Sequence, residues 1–233
     1  MIRYFLLGLT GMAAGSFAQC AAYRFAHPEV NARRSVCDHC GHALKPFDLI
    51  PVLGYILRQG RCAYCGKKIP ARYPLTEVFC AFYCIEAGRK IPDAGYLSFA
   101  YGMIFLAVFL AEADRLTMCV PGAALGLFGL CAAVIRLFYA EKTGNLLGDF
   151  APGIAMISFT VFAEKILKKE WMGAGDGFFV VAAGIVLGAY YTVWAVMAAS
   201  FAGLCRFAFG KEERIPFLPD LVRAFLLVWL WIL

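Results

Sequence analysis

The chain has 233 residues, 62% of them hydrophobic and 16% charged, with a formal net charge of +6 and a mean hydropathy of +0.70. Soluble domains are about half apolar and a quarter charged, so a single soluble core cannot absorb this apolar surface and most of the chain belongs in lipid. In such a protein the positive charge is read through its loops, not as a nucleic-acid footprint, and no nucleic-acid partner is expected.

In chain order, the first apolar run spans 4–23. Its length, and the basic loop that follows, favour a retained membrane helix over a cleaved signal. A polar stretch from Arg24 to Tyr73 comes next, and apolar runs then recur at 75–88, 95–112, 119–139, 150–166, 177–188, 190–209 and 217–233. Gly188 separates two runs that would otherwise be one. Several runs fall short of the ~20 residues that a straight span requires, so tilt or local thinning is expected. The fold class is therefore all-α: a polytopic membrane helical bundle of about eight transmembrane helices, with a loop domain after the first. The expected divisions are 1–23, 24–73 and 74–233. No internal repeat is evident.

Basic residues set the orientation. The 24–73 stretch carries Arg24, Arg33, Arg34, Lys45, Arg58, Arg61, Lys67, Lys68 and Arg72 against Glu29, Asp38 and Asp48, which places it in the cytoplasm. Counting spans from there puts Asp114, the Lys165/Lys168/Lys169 segment and the Arg206/Lys211/Arg214 loop on the same side, with both termini outside. Arg3 and the Arg89–Lys90 pair then lie outside, against the rule.

Two CxxC pairs, Cys37/Cys40 and Cys62/Cys65, stand in the loop, each followed by glycine (Gly41, Gly66). Two intervening residues let both thiolates converge from one tight turn, and four sulfurs complete a closed tetrahedral zinc site. A cytoplasmic face disfavours the disulfide alternative. His39 and His42 are possible substitute ligands. With few apolar residues in the loop, the metal would supply its folding energy. The other six cysteines, in or beside apolar runs, read as small hydrophobes.

Ionisable side chains beside apolar spans are costly and mark function. Asp114 and Asp176 each stand at a helix end on the side assigned to the cytoplasm. Carboxylates brought together share a proton, so that one activates water and the other donates to a carbonyl. Gly173, Gly175 and Gly177 remove side chains around Asp176, permitting tight turns and close approach of a substrate backbone. The competing reading is that both aspartates are helix caps. Glu112, the nearest other carboxylate, should face elsewhere on its helix. Tyr190, Tyr191 and Trp194 read as membrane packing.

These motifs, in this order, resemble the type IV prepilin peptidases, membrane aspartic proteases of the GxGD type. The resemblance rests on Gly15-Ser16-Phe17 with Tyr23-Arg24, the two CxxC pairs, Phe47 through Pro51, Arg58 through Cys62, and Arg72-Tyr73-Pro74 with Glu77. It continues through Asp114 to Pro121, Met172 to Asp176, and Ile215-Pro216-Phe217. It implies an endopeptidase with Asp114 and Asp176 catalytic. The enzyme would remove a short basic leader from a prepilin or pseudopilin, after glycine and ahead of an apolar helix. It implies a zinc ion on Cys37, Cys40, Cys62 and Cys65 and, in many members, methylation of the new terminus from S-adenosylmethionine; Gly173 and Gly175 are candidate substrate contacts, as are Asp48, Arg72 and Glu77, for which loop salt bridges are the competing reading. The chain departs from the family at Ala18-Gln19-Cys20, Gly122, Phe178 (usually lysine) and Leu218-Pro219-Asp220. Losing a cation beside Asp176 bears on pH optimum and rate. Two other readings remain open: a non-catalytic scaffold whose zinc loop docks pilus-assembly partners, and a small transporter, whose site would sit nearer the midplane. Oligomeric state is not legible.

Overall fold

The computed structural model describes residues 2–28, 34–138, 146–167, 173–209 and 216–233. Lys168, Lys169, Lys211, Arg214, Arg33, Glu29, Met172 and Ile215, used above, lie outside these. The described chain is helical, apart from turns and two isolated antiparallel bridges, Val36 with Ala43 and Arg61 with Lys68. Within the described residues each of the eight apolar runs is largely helical, with 177–188 and 190–209 merging into one helix across Gly188. Among the described residues three helices, Ile2–Ala26, Ala94–Thr117 and Ala174–Ala208, are long and apolar enough to cross a membrane by length and composition, and Gly122–Phe138 and Ala151–Phe162 are shorter apolar helices.

The chain divides into two compact units, Met1–Lys90 and Ile91–Leu233. In the first, α1 (Ile2–Ala26) packs along α3 (Arg72–Lys90). The reason is a stripe of small residues. Gly8, Gly11, Gly15, Ala18 and Ala22 recur every three or four positions and are all buried, so they share one helix face. A side chain there would collide with α3: a Cβ at Gly11 would sit 2.6 Å from the Cys80 carbonyl oxygen, and one at Gly15 2.9 Å from Cys80 Sγ. Close approach of this kind is how helices associate where lipid removes the hydrophobic drive. Arg3, Arg89 and Lys90, which strain the orientation rule, cluster at the end of α3. Arg3 donates to the Gly88 carbonyl at 3.1 Å and Arg89 pairs with Glu86 at 3.0 Å. Cations at a helix C-terminus satisfy its last carbonyls, a local reason for basic residues at this end. Between α1 and α3 lie the cysteine loop, a 3-10 turn (Pro46–Leu49) and the short α2 (Leu53–Leu57).

The second unit contains α4 (Ala94–Thr117), α5 (Gly122–Phe138), α6 (Leu146–Asp149), α7 (Ala151–Leu167), α8 (Ala174–Phe209) and α9 (Leu218–Ile232). Helix α4 starts on Asp93, whose carboxylate accepts the Tyr96 N–H at 2.7 Å. It ends at Met118, in the left-handed region at φ 52°. Its core partners are α5 and α9, and α8 packs on α5, α7 and α9. Phe128, Phe179 and Phe225 meet at centroid distances of 4.9 to 5.7 Å, joining α5, α8 and α9 three residues beyond Asp176. Tyr190, Tyr191 and Trp194 form the expected aromatic cluster, extended to Trp231.

As a straight helix, α8 would run about 54 Å, well beyond a hydrocarbon core of about 30 Å. It breaks at Gly188 (φ 76°, ψ 163°), a conformation open to glycine. The break frees backbone groups, and Asp149 receives one of them. Its Oδ1 accepts the Ala189 N–H at 3.2 Å, while Oδ2 pairs with Arg136 at 2.9 Å. Thr192 donates to the Gly188 carbonyl at 2.7 Å. The glycine that separates two runs in the sequence is therefore a built kink, held by an ion pair between α5 and α6.

Candidate active site and metal centre

In the Ile91–Leu233 unit, Asp114 occupies the last turn of α4 and Asp176 the first turn of α8. Both are buried, with residue exposures of 7% and 6%. The Asp176 carboxylate lies within electrostatic reach of Asp114, and the Leu218 N–H at the start of α9 faces the Asp114 carboxylate. Asp114 Oδ2 has no hydrogen-bond partner among the described residues. A buried carboxylate oxygen normally has one, so an occupant such as water or a substrate amide suits this position. Among the described residues the Asp114 side chain makes no capping bond to its own helix. The Met118 N–H goes to the Asp114 backbone oxygen at 2.7 Å, and the hydroxyl of Thr117 bonds the Ala113 carbonyl and receives the Cys119 N–H. Glu112 is turned aside, its carboxylate held by Arg115 at 2.6 Å.

The glycines around Asp176 divide. At Gly175 an added Cβ would lie 2.6 Å from Val120 Cγ2, and at Gly177 2.5 Å from Ile157 Cγ1. The close approach expected at Gly175 is therefore made by the protein itself: the turn after α4 presses Val120 against the turn that carries Asp176. Among the described residues, a Cβ at Gly173 would meet the Asp176 carboxylate alone, at 3.9 Å. Beside it a shallow apolar cleft is lined by Ile157, Thr160, Val161 and Gly177. Sequence reasoning passed over two further carboxylates. Asp149 (described above) is one. Asp220 is the other, 3% exposed and held by Arg206 at 2.5 Å. Each stands beside an apolar run, the signal that marked Asp114 and Asp176, but each has a cationic partner and a structural task.

In the Met1–Lys90 unit, the sulfurs of Cys37, Cys40, Cys62 and Cys65 all lie within 4.8 Å of one another, with Cys37 and Cys65 4.0 Å apart. Zinc–sulfur bonds of about 2.3 Å put tetrahedral sulfurs about 3.8 Å apart, so the cluster has the size of a closed metal site. All ten cysteines are free thiols. The cluster is built from two equivalent knuckles twenty-five residues apart, a short duplication that the CxxCG pattern contains. In each, the N–H of the first cysteine bonds a carbonyl five residues on (Cys37 to His42, 3.0 Å; Cys62 to Lys67, 2.9 Å). The glycine N–H returns to the cysteine carbonyl (Gly41, 2.9 Å; Gly66, 3.0 Å). Both glycines have positive φ, 66° and 69°. Burial pushes the Cys37 thiol up to about 11, against N–H groups of His39 and Cys40. At Cys62 the backbone N–H groups of Cys65 and Tyr64 prevail and bring it down to about 7. Neither His39 nor His42 joins the cluster; His42 stacks on Tyr64 with centroids 3.6 Å apart, tying the knuckles together.

The remaining loop residues have partners inside the unit. Burial alone would raise the Asp48 carboxyl, but Arg58 at 2.6 Å and the Lys45 N–H at 3.1 Å outweigh it and hold it below its ordinary value. Glu77 accepts the Val52 N–H at 2.7 Å. Arg72 lies over the Tyr73 ring at 4.9 Å, and the Tyr73 hydroxyl donates to Asp38 at 2.7 Å. An open cleft lies among these residues.

Residues 9–90 match the family model of the Bacterial Peptidase A24 N-terminal domain. The chain is 32% identical over 199 residues to the prepilin leader peptidase/N-methyltransferase of Burkholderia pseudomallei strain 1026b, covering 81% of this chain and 64% of that protein. It is 30% identical over 201 residues to the type 4 prepilin-like proteins leader peptide-processing enzyme of Escherichia coli O78:H11, covering 81% of this chain and 72% of the relative. It is 28% identical over 236 residues to the prepilin leader peptidase/N-methyltransferase of Bacillus subtilis strain 168, covering 97% and 93%. The chain thus spans just under two thirds of the length of the Burkholderia relative. No solved structure matches it significantly. With apolar helices, a four-cysteine cluster and relatives that agree along most of its length, the chain belongs to the prepilin leader peptidase/N-methyltransferase family, membrane proteins of prokaryotes.

Proposed function

We propose that this chain is a membrane aspartic endopeptidase that cleaves the basic leader of a type IV prepilin or pseudopilin after glycine, using Asp114 and Asp176. The observation that carries the reading is the pair of buried carboxylates, from separate helix ends, within electrostatic reach of each other and without a cationic partner among the described residues. Two such groups share one proton. The ionised member takes a proton from water as the oxygen attacks the scissile carbonyl, and the protonated member donates to the carbonyl oxygen. Gly173 leaves room for an extended backbone beside Asp176. The apolar cleft next to it suits the hydrophobic segment following the scissile bond. The basic excess of residues 24–73 favours a cytoplasmic active face in the inner membrane.

Cys37, Cys40, Cys62 and Cys65 would hold a zinc ion, which on binding supplies structural cross-linking of the two knuckles. The relatives' names include N-methyltransferase, and we extend that activity to this chain, with S-adenosylmethionine as methyl donor. The test is to incubate the purified protein with a prepilin, with and without S-adenosylmethionine, and to weigh the products. The expected products are the leader-free protein alone, and the same protein heavier by one methyl group. An unprocessed prepilin would refute the peptidase reading.

A further inference from the structure

We infer that the cleft of the Met1–Lys90 unit is a binding site for an α-ammonium group, seated on Glu77 and Gln19. The inference rests on the methyltransferase reading above. The cleft encloses about 1250 Å³ including its open mouth, and Ser16, Gln19, Tyr73 and Glu77 form part of its lining. Glu77 and Gln19 are 8% and 4% exposed. Glu77 is held in place on two sides, by the Val52 N–H at 2.7 Å and by the Ser16 hydroxyl. Both partners are neutral, and among the described residues no cation pairs with it. A buried carboxylate normally has a cation partner, and one left without in a cleft marks a ligand site.

Gln19 completes the pattern. Its amide nitrogen donates to the Gly15 and Tyr73 carbonyls, both at 3.3 Å. That orientation leaves Oε1 buried with no partner. The floor of the cleft thus offers a carboxylate held only by neutral donors and an amide oxygen with no partner among the described residues. A primary ammonium, with three N–H donors and one positive charge, satisfies both. The wall carries a basic excess: Arg24, Arg34, Arg61, Lys67 and Lys68 stand against Asp38, with Asp48 already paired to Arg58, and the excess suits carboxylate groups. A cation at the base and anions at the rim describe an amino-acid-like or peptide-terminal ligand.

Leader removal creates a new α-amino terminus, and the methyl donor carries an α-ammonium of its own; the two share this chemistry. For the peptide terminus, Glu77 orients the nitrogen and takes the proton that must leave it. The nitrogen lone pair then forms the N–CH₃ bond as the C–S bond of the sulfonium breaks, with the bonding pair leaving on sulfur.

The test is a binding measurement on the full chain in detergent, with a synthetic peptide reproducing the leader-free terminus, its N-acetylated counterpart, and S-adenosylmethionine alone. The wild type should prefer the free-amine peptide over the acetylated one by about 10- to 100-fold, the worth of one charge-assisted hydrogen bond. Glu77→Gln should abolish that preference. Gln19→Met, which leaves the carboxylate in place, should reduce it several-fold, and it carries the test if Glu77→Gln disturbs the loop. If Glu77→Gln instead weakens S-adenosylmethionine alone, the bound ammonium is the donor's and the site stands. Equal binding of the two peptides by wild type, together with unchanged affinity of both variants for every ligand, would overturn the inference. A preference without any methyl transfer would refute the methyltransferase reading and leave the site; methyl transfer with neither the preference nor an effect of Glu77→Gln on S-adenosylmethionine would do the reverse.

Discussion

Replacing Gly175 with alanine is the sharpest probe of how the aspartate pair is held. The new Cβ would lie 2.6 Å from Val120 Cγ2 and 2.7 Å from Val120 Cβ, against an ordinary contact of 3.4 Å or more. The turn carrying Asp176 must therefore retreat from the turn after Asp114 by roughly 0.8 Å or more, since packed interiors have little slack. Overpacking of this kind costs about 1–3 kcal/mol, which a folded unit survives. The geometric effect is larger, because misplacing a catalytic group by about 1 Å costs on the order of 100-fold in rate. Gly175→Ala should thus insert and fold yet cleave a prepilin about 100-fold more slowly, read as initial rate by gel or mass spectrometry. Val120→Gly removes both offending carbons, and the double variant should recover at least about tenfold. Cleavage at the wild-type rate by Gly175→Ala, or no recovery in the double variant, would refute the idea that Val120 and Gly175 set the carboxylate spacing.

Three further outcomes follow from the Met1–Lys90 unit. Cys37→Ser, or a chelator, should make residues 34–73 protease-sensitive, because a metal on the four cysteines would join the two knuckles; an unchanged digestion pattern would count against it. Gly11→Leu places a Cβ 2.6 Å from the Cys80 carbonyl oxygen and should destabilise the α1–α3 pair by about 1–3 kcal/mol or more in thermal unfolding, whereas Leu9→Val, on the exposed face, should be nearly neutral. Asp48 titrates below its ordinary value of 3.8, so its contribution to loop stability is complete above that pH and is lost as pH falls through the folded-state value. The difference in protease resistance between wild type and Asp48→Asn should accordingly be constant at neutral pH and vanish in strong acid; a gap that widens on acidification would contradict this.

The helices were legible because lipid imposes a simple rule: an apolar run must be helical to satisfy its backbone. That rule located every run, and Gly188 betrayed the break in α8. The ends were less legible. The apolar run ending at 112 continues as helix to Thr117, because Asp114, Arg115 and Leu116 follow the helical path and Glu112 bonds Arg115 one turn on. The cysteine knuckles were readable from CxxCG alone, since a tight turn and a tetrahedral donor set are local properties. Long-range pairs were not. Nothing adjacent to Asp149 announces that it receives an N–H from Ala189 and a charge from Arg136. Nor does anything near Gly175 announce Val120. Glu77 was visible only as a family motif residue, and its lack of a cation among the described residues appears once α1 and α3 are side by side.

The most direct test of the central claim is leader removal by Asp114→Asn and Asp176→Asn, each carrying one amide in place of a carboxylate of nearly the same shape. Insertion and metal content should match wild type in both, while mass spectrometry finds the prepilin uncut. Normal processing by either variant would contradict the paired-carboxylate mechanism.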